Sequence, residues 1–394
     1  MKKKCLSCLL VLLVLAASLF SFFPAVPTVR AHNPTWWDFD WDQRLELTVN
    51  ASLVDGDLID FPVLVYVGED TLDWGSVQNN LDDIRFVGDY LDELSFEIES
   101  FTLNWEAWFW VRLPEVSSSI DTYFFMYFDN KFCVSGEDAE AVWDSDFVMV
   151  QHMKDETTST ILDSTSNDND GTKTGADNPQ ETDGYIGKGQ LYDGIGDNIN
   201  VEMVTDLPLT IEAVLRVDVN SEWMVMSKGF VSDGDFFIYY DNGGGIVARV
   251  YDSLGNFAVE VVTTFLDTRR YIQVVFEENQ KVLIYIDGVL YEGGVVSAVI
   301  AQNVNDLHIG LFNSAGVYDF EGLIDEVRIS NIARSGAWIG ASYYSGTLEL
   351  VIVGYHYHPP DTALRGEFIA AALVASLILV PLLILIIFAA RRKR

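Results

Sequence analysis

Over residues 36–150 and again over residues 209–330, the chain consists largely of short runs in which apolar and polar residues alternate, and this two-residue period constrains the fold more than any other feature. Such runs predict β-strands, because successive side chains of a strand point to opposite faces of a sheet. In the first part of the chain no helical period persists beyond two turns. The strands predicted there lie at residues 44–49, 61–67, 83–88, 94–99, 107–113 and 122–127.

The run at residues 107–112 is apolar on both faces. Alternation puts Trp108 and Trp110 on one face and Phe109 and Val111 on the other. A strand of this kind is typical of the centre of a sheet that is covered on both sides. The alternative is an exposed aromatic strip on which sugars stack.

Residues 155–183 are rich in Thr, Asp, Asn and Gly, and this composition marks a domain boundary. Strands resume at residues 209–217, and residues 271–286 predict a hairpin. Asp287-Gly288 then fits a type I′ turn, in which both central residues need a positive φ. Further runs at residues 307–311 and 323–330 bring the second domain to about ten strands, which we expect to form two packed antiparallel sheets.

The two ends of the chain predict secretion and anchoring. Residues 1–31 combine Lys2 to Lys4, an apolar run and a small-x-small site, as a signal peptide does. Residues 368–390 carry no charge and are long enough to span a bilayer as a helix. The basic residues 391–394 follow at once, which predicts a cytoplasmic C-terminus and a single-pass cell-membrane protein whose N-terminal ectodomain lies outside. The predicted domains are a signal peptide (1–31), a β-sandwich (32–150), a second β-sandwich (151–346), a stalk (347–367), a transmembrane helix (368–390) and a basic tail (391–394).

The external part is strongly acidic. Without the eight cations of the leader and the tail, 16 Lys and Arg remain against 59 Asp and Glu. Such a charge repels nucleic acid and excludes a DNA or RNA partner, whereas divalent cations, cationic partners or a saline habitat are compatible with it. Cys133 is the one cysteine outside the leader, so the mature chain forms no internal disulfide.

The second domain resembles laminin-G-like, concanavalin A-like jelly rolls over about residues 150–345. Its opening turn (163–171), the Gly184-Tyr185-Ile186-Gly187 turn and the closing strand (320–330) stand in the order of that family. The preceding domain resembles domain-of-unknown-function family 2341, which commonly precedes such a jelly roll in prokaryotic surface proteins. We therefore expect a prokaryotic, and specifically an archaeal, surface protein. The motifs that carry this second resemblance are Asp83-Ile84-Arg85-Phe86, Trp110-Val111-Arg112-Leu113-Pro114 and Phe125-Met126-Tyr127-Phe128-Asp129-Asn130.

The jelly-roll resemblance implies a structural Ca²⁺ between Asp163 in the opening loop and Asp325 in the closing strand. Carboxylate oxygens in turns are ligands that Ca²⁺ prefers. The alternative is that Asp163 only forms an Asx turn with its own backbone.

Glycoside hydrolysis is the enzymatic alternative, and it needs two carboxylates on either side of the bond that is cleaved. Glu97 and Glu99 share a strand face but lie in the first domain, and we expect them to be away from the jelly roll. Asp325 and Glu326 are adjacent, so alternation predicts opposite faces for them. The chain is therefore expected not to be an enzyme.

The function expected from the sequence is that of a surface binding or adhesion protein that recognises carbohydrate or another surface protein through the jelly-roll loops. A structural envelope component is the alternative. The residues predicted to form the rim of the binding site flank the flexible turn at 243–245, and they are Tyr239, Tyr240, Asp241, Asn242 and Tyr251.

Overall fold

The computed structural model describes residues 35–359 apart from 156–158, 175–177, 207, 230–231, 233, 253–254, 263–265, 278–280, 296–301 and 313–317. The described residues from Asp38 onward make up one compact unit, and residues 35–37 belong to another. Apart from a 3₁₀ turn at Ala51–Leu53 and the helices α1 (Ala139–Val142) and α2 (Gly336–Gly346), the described elements are all strands. The prediction of an all-β chain is confirmed.

The predicted signal peptide (1–31) and membrane helix (368–390) lie outside the described residues. Within the part of the chain that the structure describes, no helix has the length and apolar character needed to cross a membrane.

The first domain is a sandwich of two antiparallel sheets. One sheet has the order β24-β1-β7-β3-β4 and the other the order β2-β6-β5. The strands are β1 (Gln43–Val49), β2 (Leu58–Gly68), β3 (Arg85–Gly88), β4 (Glu93–Leu94), β5 (Phe96–Thr102), β6 (Glu106–Val116), β7 (Thr122–Phe128) and β24 (Val351–Tyr357).

The tryptophan-rich strand is central, as its sequence predicts. β6 lies between β2 and β5, and both Phe109 on one face and Trp110 on the other are fully buried. Phe109 packs into the sandwich core with Phe86 and Phe96. The opposite face, with Trp110, is turned away from that core and covered by residues of the second domain.

The last described strand returns to the first domain. β24 pairs antiparallel with β1, with Val351 opposite Val49 and Tyr357 opposite Arg44. The structure therefore differs from the predicted stalk (347–367) over these seven residues. His356 and His358 lie on and just after this strand, with ring centroids 5.2 Å apart.

The second domain is a larger sandwich of two sheets. One has the order β18-β17-β16-β15-β22-β13-β10-β9, and the other has the order β11-β12-β23-β14-β19-β20-β21 with β8 paired to β23. The strands are β8 (Phe147–Gln151), β9 (Thr160–Ile161), β10 (Gly171–Thr174), β11 (Gln180–Asp183), β12 (Lys188–Asp193), β13 (Asn198–Val201), β14 (Leu209–Val217), β15 (Trp223–Lys228), β16 (Phe236–Tyr240), β17 (Gly245–Asp252), β18 (Gly255–Val262), β19 (Arg270–Phe276), β20 (Lys281–Ile286), β21 (Val289–Val295), β22 (Leu307–Ile309) and β23 (Glu321–Ser330).

The turn predicted at Asp287-Gly288 joins β20 to β21 with φ values of 53° and 74°, as a type I′ turn requires. The carboxylate of Asp287 accepts the backbone N–H of Tyr271 (3.0 Å) and an N–H of Arg270 (2.6 Å). These bonds help to hold an aspartate in a conformation that favours glycine.

The two domains share a hydrophobic interface. Phe147 of β8 and Trp338 of α2 belong to the same buried cluster as the residues of β2 and β6. Phe61 and Trp338 meet edge to face at 4.8 Å, and Ser345 Oγ accepts the N–H of Leu64 at 2.8 Å. The sheet β2-β6-β5 is consequently covered on both sides.

Candidate functional site

The outer face of the sheet that contains β15, β16 and β17 carries an aromatic cavity. Phe236, Ile238 and Tyr240 of β16 point into the jelly-roll core. By the two-residue period of a strand, Phe237 and Tyr239 point the other way. Phe237 and Tyr239 therefore line the cavity.

The cavity has a volume of about 160 Å³. Its aromatic wall is continuous, because Phe237 contacts both Tyr251 (ring centroids 5.7 Å apart) and Phe312 (5.2 Å), and Phe312 in turn contacts Tyr318 (6.3 Å). The described residues that line the cavity are Glu222, Trp223, Met224, Phe237, Tyr239, Arg249, Tyr251, Phe312 and Tyr318.

Arg249 supplies the positive charge in this lining. Its Nη2 donates a hydrogen bond to the Tyr239 hydroxyl at 2.9 Å, and its guanidinium carbon lies 5.4 Å from the centroid of the Tyr239 ring. A cation over an aromatic face is attracted by the ring quadrupole, so the two side chains fix each other's orientation. Glu222 is the acidic residue of the lining.

The structure brings only part of the predicted rim together. Tyr239 and Tyr251 line the cavity, whereas Tyr240 is buried in the core and donates its hydroxyl proton to Asn220 at 3.3 Å. Asp241 Oδ1 accepts the N–H groups of Gly243 (3.0 Å) and Gly245 (2.9 Å), so it stabilises the turn between β16 and β17.

Asn242, the remaining residue of the predicted rim, is exposed in the turn between β16 and β17. Its carbonyl oxygen lies 3.5 Å from Asn220 Nδ2. Trp223, Phe237 and Arg249 were not predicted as part of the site. Phe237 lies two residues from Tyr239 on β16, and Arg249 lies two residues from Tyr251 on β17. Strand alternation places each pair on the same face, so Phe237 and Arg249 could have been predicted as part of the site.

Asp163 forms a network within its own loop. Its Oδ1 accepts the N–H groups of Val150 (2.8 Å) and Thr165 (3.0 Å), and its Oδ2 accepts the Thr165 hydroxyl (2.8 Å) and the Asn169 N–H (2.9 Å). This is the Asx-turn arrangement. Burial raises the pKa of Asp163, although these hydrogen bonds act to lower it.

Asp325 occupies a different environment. Its Oδ2 accepts the N–H groups of Tyr185 (2.7 Å) and Ile186 (3.0 Å), and its buried Oδ1 has no hydrogen-bond partner. The glycines of the Gly184–Gly187 turn permit this approach, because a Cβ on Gly184 would lie 2.7 Å from Asp325 Oδ2.

The expectation that Asp325 and Glu326 point to opposite faces is wrong. Glu326 has a φ of +53°, and the pairing of β23 with β14 shifts register between the partners of Asp325 and Arg328. Ile324 and Val327 both belong to the jelly-roll core, so the two residues between them share the other face. A β-bulge of this kind adds one residue to one strand and interrupts its alternation.

The expectation that Glu97 and Glu99 lie away from the jelly roll is also wrong. Both come from β5 of the first domain, and both meet His152, which directly follows β8. Glu97 Oε2 lies 3.2 Å from His152 Nε2, and Glu99 Oε2 lies 2.7 Å from His152 Nδ1. Glu326 Oε1 lies 2.7 Å from the same Nδ1.

These groups are enclosed. The residue exposures are 4% for Glu97, 2% for His152 and 0% for both Glu99 and Glu326. The His152 ring stacks near Trp110, with the planes 13° apart and the centroids 6.2 Å apart. On the other side a Cβ on Gly187 would lie 2.8 Å from Glu99 Oε1, so this glycine closes over the carboxylate.

Each carboxylate of this cluster has a different environment. Glu97 accepts hydrogen bonds from Trp143 Nε1 (3.0 Å) and Ser164 Oγ (2.6 Å) as well as facing His152. Burial acts to raise its pKa, but the charge and hydrogen bond of His152 outweigh burial and lower it to about 2. Glu326 Oε2 accepts Arg328 Nη2 at 2.5 Å and Nε at 3.1 Å.

For Glu99 and Asp325, burial outweighs the interactions that lower the pKa. Burial raises the pKa of Glu99, and the charge of Glu326 adds to that effect although His152 opposes it. Burial followed by the charge of Glu326 raises the pKa of Asp325 well above its ordinary value. For His152, burial acts to lower the pKa, but the charges of the three glutamates raise it well above the ordinary value.

Comparison with known proteins identifies both domains. Residues 80–174 match the domain of unknown function DUF2341, and residues 193–340 match the concanavalin A-like lectin/glucanases superfamily. Both resemblances inferred from the sequence are confirmed, in the expected order. No curated protein matches the chain significantly.

Solved structures similar to the chain include the binding domain of Paraclostridial Mosquitocidal Protein 1 (17% identity, TM-score 0.43, covering 51% of this chain and 52% of that one). Another is the binding domain of botulinum neurotoxin serotype G (14% identity, TM-score 0.41, covering 50% of each chain). The chain thus spans about half the length of these structures.

Proposed function

We propose that the protein is a cell-surface binding protein and that the aromatic cavity on the outer face of β15, β16 and β17 recognises carbohydrate. The observation that carries this proposal is the cavity lining, in which six aromatic side chains stand beside Arg249. The concanavalin A-like fold fits a binding role.

The chemistry of the lining suits a sugar. The apolar C–H face of a pyranose packs on aromatic rings, and the Tyr239 hydroxyl and the Arg249 guanidinium are donors for its hydroxyl groups. The volume of about 160 Å³ is below the ~300–1,000 Å³ of pockets that enclose a drug-sized ligand. We therefore expect the cavity to hold one residue of a longer glycan, with the rest of the chain outside.

Location at the cell surface rests on the sequence. The signal peptide (1–31) and the membrane helix (368–390) would place the two sandwiches outside the cell. The large negative charge disfavours nucleic acid as a partner.

A hydrolytic role is disfavoured by the position of the acids. Glu97, Glu99 and Glu326 meet at the domain interface, where they are almost completely buried. A glycosidase needs its two carboxylates on either side of a bound sugar, and a buried cluster leaves no room for one. We therefore propose that the protein binds its ligand without cleaving it.

A glycan array with the purified protein tests the proposal. We expect wild type to bind a restricted set of glycans and Tyr251→Ala to lose that binding. Trp105→Ala is the control, because Trp105 is an exposed aromatic residue of the first domain and is not part of the cavity lining. A blank array with wild type would contradict carbohydrate recognition and leave a protein ligand or an envelope role. Equal binding by Tyr251→Ala would place any glycan site elsewhere.

A further inference from the structure

We propose that Glu99, His152 and Glu326 bind a divalent transition-metal ion, of which Zn²⁺ suits the ligand set best, at the interface between the two domains. The ligand atoms are Glu99 Oε2, His152 Nδ1 and Glu326 Oε1, and they all lie within 4.8 Å of one another. Glu99 belongs to the stretch that matches DUF2341, and Glu326 to the stretch that matches the concanavalin A-like superfamily.

The histidine is held in the orientation that a metal ligand needs. Its Nε2 faces Glu97 Oε2 at 3.2 Å, and Glu97 is itself fixed by Trp143 and Ser164. When a metal ion replaces the Nδ1 proton, the imidazole still donates its Nε2 proton to Glu97, and the lone pair of Nδ1 faces the position between the other two glutamates. A carboxylate that orients a histidine in this way is the usual support of a histidine ligand in metal sites.

The oxygens of Glu99 are the second observation that points to a cation-binding site. Glu99 is 0% exposed, and neither of its carboxylate oxygens has a hydrogen-bond partner. The 2.7 Å contact of its Oε2 with His152 Nδ1 lacks the geometry of a hydrogen bond, and the single Nδ1 also lies 2.7 Å from Glu326 Oε1. One ring nitrogen carries at most one proton, whereas one cation at this position can contact both carboxylates and the nitrogen.

The charge balance supports the same conclusion. Glu97, Glu99, Asp325 and Glu326 place four buried carboxylates in this region. Among the described residues, the cations that pair with them are Arg328, which contacts Glu326, and His152, which faces Glu97, Glu99 and Glu326. Lys154 Nζ donates to the carbonyl oxygens of Ile98 (3.2 Å) and Glu99 (2.5 Å). Buried charges without enough counter-charge are costly, and a divalent ion would bring two positive charges where a protonated His152 brings one.

The ligand types distinguish this site from the Ca²⁺ site predicted between Asp163 and Asp325. Calcium takes six to eight oxygen ligands, whereas imidazole together with carboxylates suits Zn²⁺ and related ions. Asp325 Oδ1 is a further buried carboxylate oxygen without a donor, on the residue next to Glu326. All three proposed ligands are buried, so we expect the ion to have a structural role.

The proposed ion would connect β5 of the first domain with β23 of the jelly roll and with the segment that follows β8. Those elements approach one another only in the folded chain. Metal binding would therefore stabilise the folded state and fix the orientation of one domain relative to the other.

The test uses the full-length chain, purified without chelator and dialysed before its metal content is measured by elemental mass spectrometry. We expect one equivalent of Zn²⁺ in wild type and only traces in Glu99→Gln and His152→Gln. Two controls should keep the metal. Glu115→Gln changes an exposed glutamate of the domain that contains Glu99. The double variant His356→Asn with His358→Asn removes two adjacent histidine rings that are not part of the proposed site. Chelation should lower the Tm of wild type by several degrees and leave that of Glu99→Gln unchanged.

Zinc-edge X-ray absorption on wild type keeps the proposal testable if either variant fails to fold. We expect one imidazole nitrogen and carboxylate oxygens at about 2.0–2.2 Å from the metal. Substoichiometric metal in wild type, full metal content in folded Glu99→Gln, or a spectrum with only oxygen or any sulfur ligands would overturn the proposal.

Discussion

Lys228 offers a quantitative test of the jelly-roll structure. It ends β15, the strand that also carries Trp223 and Met224 of the aromatic cavity, and it is 0% exposed. Its Nζ donates hydrogen bonds to the carbonyl oxygen of Met203 at 2.5 Å and to that of Asn305. Burial lowers the pKa of Lys228 to about 8, although nearby aspartates partly oppose the shift.

The sign of the pH dependence follows from this pKa. In the unfolded chain a lysine has a pKa of about 10.4. Between pH 8 and that value the unfolded state binds more protons than the folded state, so the free energy of unfolding rises with pH. Below pH 8 the charged Lys228 destabilises the folded state by about 3 kcal/mol relative to a neutral amine, since each pKa unit corresponds to ~1.4 kcal/mol.

Lys228→Met removes this contribution. From about pH 7 to pH 9.5, we expect the free energy of unfolding of wild type to rise by about 2 kcal/mol relative to that of the variant. Urea unfolding followed by tryptophan fluorescence at the two pH values measures it. The hydrogen bonds lost in the variant do not depend on pH and cancel. Lys281→Met, at an exposed lysine of β20, is the control. Parallel pH dependences for Lys228→Met and wild type would refute the buried charge.

Two further predictions concern stability. Asp144→Asn should destabilise the protein by about 2–4 kcal/mol in urea unfolding. Arg334 is 6% exposed and donates to both Asp144 oxygens at 2.7–2.8 Å, so the variant leaves it with the more distant Asp146, at 3.9 Å; an unchanged unfolding midpoint would contradict this. Gly288→Ala should lower the Tm more than Gly196→Ala, since both glycines have a φ of +74° but only the Cβ on Gly288 would meet Tyr343, at 2.9 Å. Equal losses would show that the contact does not matter.

The strand pattern was predictable because alternation is a local property. β6, with Phe109 and Trp110 on opposite buried faces, and the Asp287-Gly288 turn follow directly from neighbouring residues. The return of β24 to β1 was not predictable, since the partners are about 300 residues apart and nothing in either strand specifies the other.

The sites were less predictable for two physical reasons. The bulge at Glu326 turns this side chain to the same face as Asp325. A glutamate rarely adopts the positive φ that this requires, so the residue type does not predict the bulge. The assembly of Glu99, His152 and Glu326 depends on how two domains pack, which no local period encodes. In contrast, the inward position of Tyr240 could have been predicted by applying the alternation of β16 strictly.

The most direct test of carbohydrate recognition is the affinity of cavity variants for the strongest glycan ligand of wild type, measured by isothermal titration calorimetry. Trp223→Ala removes one aromatic wall of the cavity, and Trp105→Ala removes an exposed tryptophan elsewhere. We predict that Trp223→Ala raises the Kd by about 10-fold or more, or roughly 1.4 kcal/mol, while Trp105→Ala binds as wild type does. Wild-type affinity in Trp223→Ala, with the fold intact, would contradict the assignment of the cavity as the binding site.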